Sequence, residues 1–288
     1  YIAQHMLRIA IQAKGRLNEQ SMQLLKDAGI YVKEDKRKFL SVASNFPVEL
    51  LFLRDDDIPQ TVAMGVADLG IVGLNEVEEK GCKVEVVQRL GFGGCRLSLA
   101  IPKAENYDSP DYFRGKRIAT SYPNLLTRYF REQNIEAEIH NIAGSVEIAP
   151  TAGLADAIFD IVSSGGTLVS NGLKEVVTVM QSEAVLIGTP SLSGEKRSIL
   201  DKLLFRFEAV ARSAGMKYLL MNLPQSAVEE ASQILPTMKS PTIMPLALKG
   251  WCAMHSVVRE CDLWDKIDRL KAIGAEGILV LSVEKLIL

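Results

Sequence analysis

The 288 residues predict an α/β protein of two facing lobes, followed by a smaller ferredoxin-like unit. The first observation behind this is that short apolar runs alternate with amphipathic stretches along most of the chain. The second is an internal echo. Gly65-Val66-Ala67-Asp68 leads into Ile71-Val72-Gly73, much as Gly153-Leu154-Ala155-Asp156 leads into Ile161-Val162 and Gly165. In both, a glycine ends a helix and Ala-Asp enters a buried strand, so two similar lobes are expected to enclose a cleft. The third is a change of pattern after Gly215, where the order becomes βαββαβ.

In chain order, Leu7–Gln12 reads as a strand, Lys14-Gly15-Arg16 as a turn, and 18–28 as a helix stopped by Gly29. Strands over 39–44 and 48–54 precede a helix over 58–64. The acids Asp55, Asp56 and Asp57 suit the start of that helix. Strands over 67–72, 83–88 and 95–101 complete the first lobe, taken as 1–103. The polar stretch from Pro102 to Pro110 leads to the second lobe, 104–189. There a strand over 116–120 is followed by the loop Ser121-Tyr122-Pro123 and a helix to residue 133. A strand over 135–141, a short helix over 146–152 and strands over 156–162, 174–180 and 184–187 follow. Residues 190–211 form a loop and a helix returning to the first lobe. The third unit, 212–288, has strands at 217–222, 242–248, 251–258 and 277–283, with helices at 225–235 and 262–273.

Composition narrows the function. A hydrophobic fraction of 48% with 24% charged residues fits a soluble globular protein, and a net charge of -2 argues against nucleic-acid binding. No apolar run reaches the ~18 residues of a membrane span. The first twelve residues lack the pattern of an export signal, so a cytoplasmic location is expected. The four cysteines, Cys82, Cys95, Cys252 and Cys261, form no CxxC pair. The three histidines, His5, His140 and His255, are equally dispersed, and neither a zinc site nor a histidine metal centre is expected.

The strand DAIFDIV runs into Ser163-Ser164-Gly165-Gly166-Thr167, a bend of small residues at a helix start. Backbone and hydroxyl donors there suit a phosphate. Asp160 and Glu147 precede the bend, and carboxylates in that position suit ribose hydroxyls or Mg²⁺. Lys14 and Arg16 flank Gly15 after the first strand, at the carboxyl end where open α/β sheets bind ligands, and suit a polyphosphate. Asp68 either contacts a nucleotide or caps its strand. Arg96 enters a buried strand and needs an anion, from a ligand or from the protein. Tyr122 offers a ring for stacking on a base, or for ordinary packing. Ser240-Pro241-Thr242 reads as a tight turn with a hydroxyl to spare.

The segments AIQAKGRLNEQS, DDDIPQTVAMGVADLGIVG, GFGGCRLSLA, GKRIATSYPNLL, GSVEIAPTAGLADAIFDIVSSGGTL and KSPTIMPLA occur in this order. Together they resemble the ATP phosphoribosyltransferases of the long, histidine-regulated form, from Leu7 to Leu288. The resemblance implies two periplasmic-binding-protein-like lobes forming a cleft, with a C-terminal ferredoxin-like regulatory domain. It also implies attack by N1 of ATP on C1 of phosphoribosyl pyrophosphate with Mg²⁺, the first step of histidine biosynthesis.

Carried onto this chain, the resemblance gives Ser163, Ser164, Gly165, Gly166, Thr167 and Asp156 to phosphoribosyl pyrophosphate. Asp160 and Glu147 become the catalytic carboxylates. Lys14, Gly15, Arg16, Asp68, Arg96 and Tyr122 fall on the ATP side. Asn222, Ser240 and Thr242 are expected to bind histidine as inhibitor, with AMP a further candidate regulator. A homo-hexamer exchanging with dimers, with no separate regulatory subunit, is implied as well. Thr151 departs from the arginine expected in many long-form members. The competing readings are a two-lobed anion- or amino-acid-binding protein without catalysis, and a phosphoribosyltransferase of the more usual kind. The latter pairs two adjacent acids with a Thr-rich loop, where this chain has Asp160 and SSGGT.

Overall fold

The computed structural model describes residues 6–33, 39–235 and 240–288; His5 and the first residue of the KSPTIMPLA segment lie outside them. The chain divides into two compact units, Tyr1–Asp201 and Lys202–Leu288.

The first unit contains two sheets. One holds β1 (Leu7–Gln12), β2 (Leu40–Val42), β3 (Val48–Leu53), β4 (Leu69–Gly73), β5 (Glu85–Arg89) and β11 (Ala184–Gly188), in the order β2-β3-β1-β4-β11-β5. β1 lies parallel to both β3 and β4 at its centre. Leu7, Ile9, Ala10 and Ile11 are fully buried, as the apolar run of a strand covered on both faces requires. Helix α1 (Arg16–Asp27) follows β1, α2 (Ile58–Ala63) follows β3, and α3 (Leu74–Lys80) follows β4. Gly70 lets α2 lie directly on the sheet, since a Cβ there would come 2.6 Å from the Ile58 side chain.

The other sheet holds β6 (Cys95–Pro102), β7 (Arg117–Thr120), β8 (Glu138–Asn141), β9 (Ala157–Val162) and β10 (Leu173–Ser182), in the order β10-β6-β9-β7-β8. Helix α4 (Pro123–Glu132) packs on one face, where Leu125, Leu126 and Phe130 meet Leu97, Leu99 and Phe159. A 3₁₀ turn (Val146–Ile148) and α5 (Gly166–Ser170) cover the other face. There Val146, Ala149 and Leu168 meet Ile158 and Val162.

The expected lobe boundary at 103/104 is corrected by this pairing. Residues 95–102 run beside β9 and β10, so they are core of the second lobe, and β11, assigned to the second lobe, pairs with β4 and β5 in the first. The chain crosses between lobes at Gly91 and Gly93, both with positive φ, and returns at Ser182–Glu183. The prolines at 102 and 110 mark a loop within the second lobe. A second difference is α3 itself, which occupies a stretch, 74–80, for which no element is expected from the sequence.

Helix α6 (Gly194–Ser213) starts against the first lobe, where Lys196 Nζ lies 2.6 and 2.8 Å from the Asp68 carboxylate; the division between units falls within it. The second unit contains β12 (Met216–Pro224), α7 (Val228–Ile234), β13 (Thr242–Pro245), β14 (Trp251–Arg259), α8 (Leu263–Ala272) and β15 (Glu276–Ser282). Its sheet order, β13-β14-β12-β15, and its antiparallel pairings are those of the ferredoxin-like βαββαβ unit. Leu219, Met221, Leu223, Cys252 and Met254 form its core with Ala231, Ile234, Leu263 and Leu270.

Candidate active site

The carboxyl ends of the parallel strands of both sheets in the first unit meet at a cavity of about 260 Å³, lined among others by Gln12, Arg16, Asp55, Glu76, Ile161 and Ser163. Gln12 ends β1, Asp55 follows β3, and Ser163 follows β9. Ligand-binding residues of open α/β sheets are expected at such strand ends.

On the first-lobe side, Gly15 (φ 94) is the N-cap of α1 and turns the chain sharply out of β1. Lys14 and Arg16 are exposed on either side of it, and neither forms an ion pair with a described residue. Two unneutralised cations at the positive end of a twelve-residue helix make an anion-attracting rim.

On the second-lobe side, β9 delivers the bend 163–167. Gly165 is left-handed (φ 81), and Ser164 Oγ accepts the Gly166 N–H at 3.4 Å. The hydroxyls of Ser163 and Thr167 bond to no described residue, and both side chains are exposed. Behind the bend, packing of the 3₁₀ turn on β9 brings Glu147 towards Asp160. Burial, with Glu147 adding repulsion, pushes the Asp160 carboxyl up to about 6, although the Ile161 N–H donates to it at 2.8 Å. No described cation pairs with either acid. Two crowded, unpartnered carboxylates are arranged to receive positive charge.

Four expected ligand residues have partners within the protein. Asp156 precedes β9, so it lies roughly 20 Å from the bend at about 3.3 Å per residue. It accepts the Arg117 N–H at 2.9 Å and the guanidinium at 2.9 and 3.3 Å, which holds its carboxyl down at about 2. Asp68 does the same work in the other lobe, accepting the Arg8 N–H at 2.9 Å and pairing with Lys196. Of its two open readings, the strand cap is the one found.

Arg96 is paired with Glu175 through Nε and Nη2, both at 2.6 Å, and its Nη1 donates to the Ser163 carbonyl at 3.1 Å. Arg96 and the Ser98 and Thr178 hydroxyls hold the Glu175 carboxyl at about 2. Arg96 therefore anchors the bend from behind. Tyr122 is only 6% exposed, so its ring is packed within the protein. Its hydroxyl donates to Glu76 Oε1 at 2.9 Å and accepts from Asn75 Nδ2 at 3.2 Å, and burial keeps the phenol protonated.

The structure adds residues of α3 that were not anticipated. Asn75 exchanges hydrogen bonds with Ser182 (3.0 and 2.8 Å), and Glu79 accepts the Asn124 and Leu125 N–H groups at 3.0 and 2.9 Å. A carboxylate of one lobe thereby caps α4 of the other, whose own N-cap residue, Tyr122, supplies no side-chain cap. The signal was available: Leu74 and Val77 are spaced for one helix face, and Gly81 (φ 58) ends the run. Among the described residues, no three His, Cys, Asp or Glu side chains gather as a metal site.

In the second unit, Asn222 lies on β12 and Thr242 on β13, separated by β14 and so by roughly 10 Å. The register puts both on the sheet face away from α7 and α8. Ser240 precedes β13 and is exposed.

Comparison with known proteins agrees with this layout. The family model for ATP phosphoribosyltransferase matches residues 54–209, and that for the HisG C-terminal domain matches 213–285. An ATP phosphoribosyltransferase of Bacteroides fragilis is 58% identical over 283 residues, 98% of this chain and 100% of that one. One from Cytophaga hutchinsonii is 55% identical over 98% of both. Among solved structures, the ATP phosphoribosyl transferase (HisG:HisZ) complex of Thermotoga maritima has 32% identity and a TM-score of 0.61. That match covers 70% of this chain and 99% of that one. A histidine kinase sensor domain with similarity to periplasmic binding proteins gives a TM-score of 0.50 at 8% identity over 73% of this chain and 91% of that one, a likeness of fold alone. Two family models that together span both units, and relatives more than half identical along nearly their whole length, make this chain a member of the ATP phosphoribosyltransferase family.

Proposed function

We propose that this chain transfers phosphoribosyl from phosphoribosyl pyrophosphate to N1 of ATP, giving N1-(5-phosphoribosyl)-ATP and pyrophosphate, the first step of histidine biosynthesis. Beyond family membership, the observation that carries the reading is the unpartnered Asp160–Glu147 pair directly behind an open hydroxyl-and-glycine bend. The bend 163–167 seats the sugar 5-phosphate, held in shape by Arg96 on the Ser163 carbonyl. As the C1–pyrophosphate bond breaks, positive charge develops on the ribose ring. Preorganised carboxylates then stabilise it by ~2–4 kcal/mol. Adenine N1 attacks with its own lone pair, so positioning dominates and no histidine is needed. Lys14 and Arg16, with the N–H groups at the start of α1, grip the ATP phosphates.

Asp160 and Glu147 offer the hard oxygen donors that Mg²⁺ combines with substrate phosphates. Bound there, Mg²⁺ would neutralise the departing pyrophosphate. Thr151, exposed after the 3₁₀ turn, supplies no cation to that anion, which leaves more of its neutralisation to the metal.

The second unit is the regulatory domain, with histidine near Asn222, Ser240 and Thr242 and AMP as a second effector. The working assembly is a homo-hexamer exchanging with dimers in the cytoplasm, with no separate regulatory subunit. Mixing the protein with ATP, phosphoribosyl pyrophosphate and Mg²⁺ tests the reading through the change in adenine ultraviolet absorbance on N1 alkylation. Turnover is expected, and Asp160→Asn is expected to lose most of it. Tight binding of a small anion or amino acid with no turnover would favour the non-catalytic alternative.

A further inference from the structure

Glu76 is only 7% exposed, yet it lines the cavity between the lobes. Its two oxygens are treated differently. Oε1 accepts both the Tyr122 hydroxyl (2.9 Å) and Asn75 Nδ2 (3.2 Å), whereas Oε2 accepts no hydrogen bond from a described residue. Oε2 is not among the fully enclosed polar atoms that lack a partner, so it opens into the cavity, where a donor on a bound ligand can reach it. The neighbouring charges do not supply the donor: Asp55 and Asp56 repel it, and Lys80 attracts it without a hydrogen bond.

The rest of the cavity wall describes the shape of the missing group. Gly73, Gly93 and Gly94 present bare peptide, and Leu17 and Ile161 present aliphatic faces. Flat peptide and aliphatic walls with one in-plane acceptor suit a planar heterocycle carrying an amine. The volume of about 260 Å³ is that of part of a ligand, such as a base, with its phosphates outside at the cationic rim.

We infer that Glu76 is the residue that selects adenine, its Oε2 accepting the exocyclic 6-amine. The inference rests on the proposed transfer to ATP and adds the origin of base specificity to it. In that reaction N1 faces the phosphoribosyl carbon held by the second lobe. With the base turned so that C6, next to N1, lies on the α3 side, its substituent meets Glu76. An amine there donates to the carboxylate. A carbonyl, as in a hypoxanthine or guanine base, places two acceptors together and is rejected.

The test is calorimetric binding of ATP and of inosine triphosphate, which differs from ATP at the C6 substituent and the N1 proton, to the full chain with Mg²⁺. The wild-type protein is expected to prefer ATP by roughly ten- to a hundredfold. Glu76→Gln, whose amide can donate as well as accept, is expected to bring the two within about threefold, chiefly by binding inosine triphosphate better. Tyr122→Phe removes the structural hydrogen bond on Oε1 while leaving Oε2 in place, and it should keep the ATP preference. A Glu76→Gln protein that binds ATP with the wild-type preference overturns the assignment of Glu76 and leaves the proposed reaction standing. So does a Tyr122→Phe protein that loses the preference as fully as Glu76→Gln, because the effect would then be one of packing. Failure of the wild-type protein to bind ATP at all would overturn the proposed reaction itself.

Discussion

Replacing Asp160 by asparagine should abolish most turnover and, at the same time, make the free protein more stable. The carboxyl is raised from 3.8 to about 6 by burial and by Glu147, so the folded state holds its proton more tightly than the unfolded chain does. For an acid with a raised folded pKa, the associated stability is fully present below pH 4. It is lost as pH rises through about 6. At ~1.36 kcal/mol per pH unit, the interval between 3.8 and about 6 amounts to about 3 kcal/mol of destabilisation at pH 8. Asparagine keeps the shape and carries no charge, so it escapes this penalty. For a unit of this size, each kcal/mol moves the melting temperature by roughly 2–4 °C. The variant's catalytic unit should therefore melt about 6–12 °C above wild type at pH 8, with the gap closing near pH 4. Thermal melts of ligand-free proteins at the two pH values, beside a turnover assay, read both effects. An equal gain at both pH values would mean that ionisation is not its source. No gain at pH 8 would mean that Asp160 is not held against its charge, and the electrostatic role argued for it would go with that.

Asp156→Asn should behave in the opposite way, keeping turnover while losing about 1 kcal/mol of stability at neutral pH, the interaction with Arg117 being half-exposed and solvent-screened. Because its folded pKa is depressed, that loss should fade as pH falls from about 4 towards about 2, which acid titration of unfolding checks. Glu79→Ala leaves the buried Leu125 N–H and the part-buried Asn124 N–H at the start of α4 without their acceptor, so chemical denaturation should show a loss of about 1–3 kcal/mol. Gly70→Ala forces a Cβ to 2.6 Å from Ile58 and 3.0 Å from Val62, and should cost about 1–3 kcal/mol in the same measurement. In an inhibition assay, Thr242→Val should weaken histidine inhibition about tenfold, or ~1.4 kcal/mol, with uninhibited turnover unchanged.

Most of the architecture was legible because periodicity and glycine punctuation are local signals. β1, β9, β12 and the bend at 163–167 fall where alternation and small residues put them. Sheet membership was less legible. Residues 95–102 and 184–188 read correctly as strands but were placed in the wrong lobes, because strand pairing is a long-range choice that leaves no mark in the strand itself. The mark lay in the connector, where Gly91 and Gly93 adopt the positive φ of a sharp crossing. Helix α3 was missed because it is short and acidic, and its two buried glutamates look like solvent-facing charges until their partners in the other lobe are known.

The acids of the two echoed segments show why residue type alone could not assign the site. Asp68 and Asp156 occupy equivalent places, each entering a strand and accepting the N–H of an arginine on the neighbouring parallel strand. At that end of the strand the adjacent backbone offers a free donor, so an acid there is satisfied by the fold and becomes a cap. Asp160 lies four residues further along the same strand, where the neighbouring strand β6 runs antiparallel and its N–H groups are spent in the ladder. Its only donor is the next residue's own N–H, and its nearest charged neighbour is another acid. Of two aspartates four residues apart, one has a low pKa and an arginine partner, and the other has a raised pKa and no cation beside it. The deficit of partners, which only the folded chain reveals, is what separates the residue available to a substrate from the one already used by the protein.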